Sequence, residues 1–187
     1  MSLTNFERHV DTLFKGIDSC EANKLVLPAL MLIYSGIDIV ASLERKKGEG
    51  TQASFTRWVD MYLLKAVSLP CTSLELYAAR CGILHGLTPE SGLSRKGKAR
   101  EVAYAWGIAK VSVLQEAASR SGYDYPVIHI SQLKEAFCRG VALFLKEASR
   151  DQETIKRISE GAGLWFSEVG VEIVDAYLSV TESDKVE

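Results

Sequence analysis

The run Arg80-Cys81-Gly82-Ile83-Leu84-His85-Gly86 places a permanent cation and an imidazole at the end of an otherwise apolar segment. Guanidinium stays charged, whereas imidazole gains and loses a proton near neutrality, so the pair joins an anion holder to a proton carrier. No other stretch has residue types and spacing that suggest chemistry. On a regular helix, residues five apart point about 140° away from each other, so the two side chains share no face if the helix runs on. Gly86 is the residue type that ends helices in the left-handed conformation. It predicts that His85 lies in a frayed last turn, free to swing back, and Arg80 is long enough to reach it.

The elements that must position this pair read as a helical bundle. Leu3 to Ser19 carries Leu3, Phe6, Val10, Leu13, Phe14 and Ile17 at three-four spacing, one apolar stripe of an amphipathic helix. Ala22 to Glu44 is apolar almost all round, which makes it the central helix, with a polar line at Ser35, Asp38, Ser42 and Arg45 that faces either water or a polar site. Lys46 to Gly50 is a loop by composition. Thr51 or Ser54 is a candidate cap for a third helix with Phe55, Trp58, Val59, Tyr62, Leu63 and Ala66, closed by Pro70. Thr72, with Glu75 three residues on, has the capping-box pattern and starts the fourth helix, which ends in the Arg80/His85 pair. Helices of similar length with short loops favour an antiparallel bundle.

Beyond Gly86 the pattern changes. Thr88 to Gly92 is turn-rich, and Arg95, Lys96, Lys98 and Arg100 place four cations within six residues, close enough in sequence to fold back beside His85. Such runs are most often solvated loops. Glu101 to Trp106 alternates and Val127 to Ile130 is β-branched, so both read as strands. With a helix from Ala109 to Ser121 between them, they predict a small parallel pair. His129, inside an apolar strand, reads as a structural histidine. Ser131 to Ala148 is a strongly amphipathic helix, and a shorter, more polar one from Asp151 is broken by Gly161-Ala162-Gly163. Leu164 to Val180 is too apolar to be left in water, and Thr181 to Glu187 reads as disordered. The expected fold is therefore mainly α. One domain spans 1–187, with the first four helices in 1–86, a basic loop and β-containing insertion in 87–130, and C-terminal helices in 131–187.

Composition narrows the function classes. At 187 residues with a net charge of −2, the chain has no global field for nucleic acid, so any such ligand must meet a local patch. Cys20, Cys71, Cys81 and Cys138 are scattered, and only His9, His85 and His129 accompany them, so neither a disulfide framework nor a metal site is indicated. There is no P-loop, and no cofactor is expected. The scattered cysteines, with a start that lacks the basic and apolar runs of a secretory signal, predict a cytoplasmic protein. Leu25 to Leu43 approaches the length of a membrane span, but Asp38 within it argues for a buried bundle helix. The apolar second helix and tail offer more hydrophobic surface than one bundle of this size covers, which predicts a homodimer.

Tyr34-Ser35-Gly36-Ile37-Asp38 on the second helix and Leu76 to His85 at the end of the fourth resemble the HEPN family of all-α bundle proteins. That family is marked by Arg, four to six intervening residues and His at the end of a bundle helix; four intervene here. The resemblance covers about residues 1–150. It implies a metal-independent ribonuclease, a candidate toxin or defence protein, working as a homodimer with both motifs facing one cleft; the alternative is a non-catalytic dimeric interaction module, or a partner of a nucleotidyltransferase or toxin in a toxin and antitoxin pair. On that reading His85 is the acid or base, Arg80 grips the non-bridging phosphate oxygens, and Asp38 orients either of them. Arg95, Lys96, Lys98 and Arg100 would supply RNA phosphate contacts.

Overall fold

The computed structural model describes residues 3–166. Helix α1 (Thr4–Ala22) turns at Lys24, whose φ of 59° is in the left-handed region, into α2 (Val26–Ser42). The apolar stripe of α1 packs along α2, and α2 is buried at Ile33, Tyr34, Ile37 and Val40 by the helices around it. This is the central helix that its composition predicts, and among the described residues no helix is long and apolar enough to cross a membrane.

Helix α3 (Thr51–Trp58) starts at Gly50, which serves as N-cap without a side-chain cap; neither Thr51 nor Ser54 has that role. Ser54 is instead buried, accepting from Arg45 Nε at 3.2 Å. The helix then widens into a π turn at Val59–Leu63 before closing with α4 (Leu64–Ala66). Helix α8 (Ile130–Ala148) crosses this turn at Gly140, where a Cβ would stand 3.1 Å from Leu63 Cα and 3.2 Å from the Trp58 ring. A side chain there would have to displace its neighbours by a few tenths of an ångström. Trp58, Tyr62, Phe137, Phe144 and Phe6 form the aromatic centre of the core.

Between α5 (Ser73–Gly86) and α8 lie a single turn α6 (Gly92–Arg95), strand β1 (Ala103–Ala105), α7 (Val111–Arg120) and strand β2 (Val127–His129). The strands pair in parallel, Tyr104 opposite Ile128, as the alternating and β-branched runs predict. So short a sheet is marginal alone. It is held to the bundle by buried Val102, Ala105, Val127 and Ile128, and by a hydrogen bond between the Tyr104 and Tyr34 hydroxyls.

Helix α9 (Gln152–Gly163) does not break at Gly161. Ile158 and Ala162 are buried, and Gly161 lies so close to Leu43 that a Cβ would stand 2.7 Å from its Cδ2, so packing around Gly161 and Ala162 favours the helix against glycine's propensity. Trp165 then packs tilted against Phe6 and edge-on to His9. The rest of the apolar tail and the expected disorder of Thr181 to Glu187 fall outside the described residues.

Candidate functional site

The pair is carried by α5, and both ends of that helix are fixed by identifiable contacts. At the start, Thr72 Oγ1 accepts from the Glu75 N–H and the Glu75 carboxylate accepts from the Thr72 N–H at 2.8 Å, the capping box written in the sequence. At the far end the helix continues through Gly86, and the left-handed residue is Leu87, with φ 52° and ψ 32°. The expectation for Gly86 is thus displaced by one residue. The Leu87 N–H reaches Ile83 O at 3.2 Å and the Thr88 N–H reaches Gly82 O, so the chain reverses there and folds back over Gly82. A Cβ at Gly82 would stand 2.5 Å from Thr88 O and 2.9 Å from Glu90 O.

Arg80 and His85 nevertheless meet. Arg80 Nη1 lies 2.9 Å from His85 Nε2 without any fraying of the last turn, so the reach of the arginine closes the gap. A guanidinium has only donors, so Nε2 must be the acceptor and the ring proton sits on Nδ1. His85 is exposed, which leaves that N–H open to solvent. From the neighbouring helix α2, Asp38 Oδ2 accepts from Arg80 Nη2 at 2.6 Å. The order is therefore carboxylate, guanidinium, imidazole, with the cation in the middle.

The electrostatics follow from partial burial. The Arg80 and Asp38 side chains are 13% and 21% exposed, too shielded for the pair to be discounted as a surface ion pair. Burial works against the charge on Arg80, but hydrogen bonding and attraction to Asp38 outweigh it and hold the guanidinium above its ordinary pKa. Arg80 Nε and Asp38 Oδ1 are buried without a hydrogen-bond partner. Tyr77 places its ring 6.0 Å below the guanidinium, and Cys81 Sγ lies 3.9 Å from Nη1. Burial, with Cys81 beside it, raises the Tyr77 phenol above its usual value. Sequence reasoning passed over both residues, although Tyr77 stands one helical turn before Arg80, a spacing that brings side chains together.

The polar line on α2 does not act as a unit. Asp38 turns to Arg80, Ser42 Oγ donates to its own helix at Ile39 O, and Arg45 leaves for Ser54. The basic run divides as well. Arg100 Nε donates to the buried Glu75 at 2.6 Å and Nη1 reaches Asp124 at 3.4 Å, so Arg100 clamps the returning chain to the start of α5. Arg95 makes a longer contact of 3.4 Å with Glu90. Among the described residues Lys96 and Lys98 are exposed and enter no ion pair. Glu75 and His85 lie ten residues apart on α5, about 15 Å along the axis, so the run's last cation sits at the other end of the helix from the imidazole.

His129 has the structural role its setting predicts. It caps α8: Nδ1 lies 2.7 Å from Ser131 Oγ, and Nε2 donates to Gly107 O at 3.2 Å. Among the described residues no group of three or more His, Cys, Asp or Glu side chains could hold a metal ion.

No family model, curated protein or solved structure matches this chain.

Proposed function

We propose that the chain is a HEPN-like ribonuclease that cuts single-stranded RNA without a metal ion, by attack of the 2′-hydroxyl on the adjacent phosphorus. The observation that carries this reading is the contact of Arg80 Nη1 with His85 Nε2 at 2.9 Å while Asp38 holds the other arm of the same guanidinium. RNA supplies its own nucleophile. The protein must then move protons near neutral pH and hold the charge that builds on the phosphate. In this proposal His85 takes the proton from the 2′-oxygen or returns one to the leaving 5′-oxygen. Arg80 turns its outer arm from the imidazole to a non-bridging oxygen, and Asp38 keeps the guanidinium plane in place.

Cleavage should persist in EDTA, require a 2′-hydroxyl at the cut, spare DNA and leave a 2′,3′-cyclic phosphate. His85→Ala should lower the rate by about 10²- to 10⁴-fold with no loss of fold, because the residue is exposed. Activity that survives this substitution overturns the assignment. The proposal also has two copies facing one cleft, so sedimentation at micromolar concentration should show a dimer, and a monomer would remove the shared cleft.

One observation favours a second reading. Both arms of Arg80 are engaged within the chain, Nη2 by Asp38 and Nη1 by His85, which leaves no free fork for a phosphate. A non-catalytic dimeric module, partner to a nucleotidyltransferase or toxin, needs no more than that. Absence of cleavage on varied single-stranded RNAs by the purified dimer would select it.

A further inference from the structure

A cleft of about 460 Å³ opens between the start of α2, the chain after α5 and strand β1, within the roughly 300–1,000 Å³ range of small-ligand sites. Its walls include Val26, Leu27, Pro89, Glu101, Tyr104 and Tyr125. None of Asp38, Arg80 and His85 lines it, but Tyr34, one turn before Asp38 on α2, bonds Tyr104 in its wall, and the chain from His85 runs to it. Pro89 follows His85 by four residues, a separation of at most about 14 Å. Leu30, also in the wall, precedes Asp38 by eight residues of α2, about 12 Å.

The chemistry of the walls selects a flat, polar-edged guest. Tyr104 has its hydroxyl bonded to Tyr34 and forms part of the wall, while Tyr125 is half-buried and backed by Tyr123, stacked at 5.3 Å and 22°. A backed ring is a rigid platform. Among the described residues the Glu101 side chain has no hydrogen-bond or ion-pair partner. A carboxylate in that place repels phosphate, so the cleft suits a base and not the backbone, and it accepts from an exocyclic amine.

We propose that this cleft is a base subsite for RNA held at the Arg80/His85 site, with Tyr125 as stacking platform and Glu101 as the acceptor that favours adenine and cytosine over uracil. This rests on the ribonuclease reading above and adds a substrate preference to it.

The test is anisotropy with fluorescent oligo(A), oligo(C) and oligo(U), alongside cleavage of the same RNAs. Oligo(A) and oligo(C) should bind more tightly than oligo(U). Tyr125→Ala should weaken their binding by about fivefold to a hundredfold, the range of a lost base stack, whereas Tyr125→Phe should bind like the parent and so separate stacking from folding. Glu101→Gln, which adds a donor to the acceptor, should erase the preference without weakening oligo(U). Equal affinity for the three RNAs, or full affinity in Tyr125→Ala, overturns the subsite even if cleavage is normal. Selective binding that responds to these substitutions with no cleavage leaves the subsite standing and rejects the ribonuclease step.

Discussion

Arg80 performs two tasks with one planar group, and the plane is what a lysine cannot copy. Its two outer nitrogens reach Asp38 and His85 on different sides, at 2.6 and 2.9 Å, whereas an ammonium is one point on a shorter reach. Arg80→Lys keeps the charge beside Asp38, so the fold should hold to within about 1 kcal/mol in chemical denaturation. Turnover should nonetheless fall at least tenfold if the fork grips phosphate, with about 1.4 kcal/mol per factor of ten. Unchanged turnover would mean that Arg80 only balances charge. Glu75 carries the other residue-scale prediction. Burial pushes its carboxyl up, but Arg100 and the Thr72 N–H outweigh this and hold it below its ordinary value. A lowered folded pKa means stability that is present above the unfolded value of about 4.3 and lost as pH falls through the folded one. Glu75→Gln should therefore cost about 1–3 kcal/mol at neutral pH, and the melting difference from the parent should shrink in acid below that unfolded value. A difference independent of pH would assign the effect to packing.

At the scale of elements, the cluster depends on where α5 stops and how the chain leaves it. The reversal at Leu87 brings Thr88 and Glu90 over Gly82, so Gly82→Ala must push backbone aside and not merely a flexible side chain. A cost of about 1–3 kcal/mol is expected, with the 88–100 return loosened and hydrogen exchange faster along it. An unchanged melting temperature would show that the return moves freely. The sequence made α5 readable at its start, because a capping box is a local pairing of Thr72 with Glu75. Gly86 predicts its end one residue early, because it has the right chemistry for the left-handed position but the steric demand at Gly82, made by residues in the return, is not written in the helix itself. The π turn at Val59–Leu63 escaped for the same reason: it is tied to the passage of α8 at Gly140, far away in sequence. At the site, Arg80 and His85 were legible as residue types and Asp38 through the family resemblance. The place of Tyr77 under the guanidinium and the Arg100 clamp on Glu75 were not, since each needs the folded neighbour.

Over the whole molecule the net charge of −2 gives RNA no general attraction, so on the proposed ribonuclease reading affinity must come from cations that are free to meet phosphate. The four residues of the basic run are unequal in this respect. Lys96 and Lys98 are exposed and, among the described residues, unpaired, Arg95 is loosely paired with Glu90, and Arg100 is committed to a buried carboxylate. Each phosphate contact on single-stranded RNA contributes about 0.7 to the slope of log K against log salt concentration. Replacing Lys96 and Lys98 together by Gln should thus flatten the slope by about 1.4 while the melting temperature holds. Arg100→Gln should do the reverse, leaving the slope nearly as it was and lowering stability, because a near-buried Glu75 loses its partner. A titration of binding against salt for these two variants, with thermal melts of the same samples, separates the roles. If Arg100→Gln flattens the slope as much as the lysine pair does, then the clamp opens to bind RNA, and the basic run acts as a single patch after all.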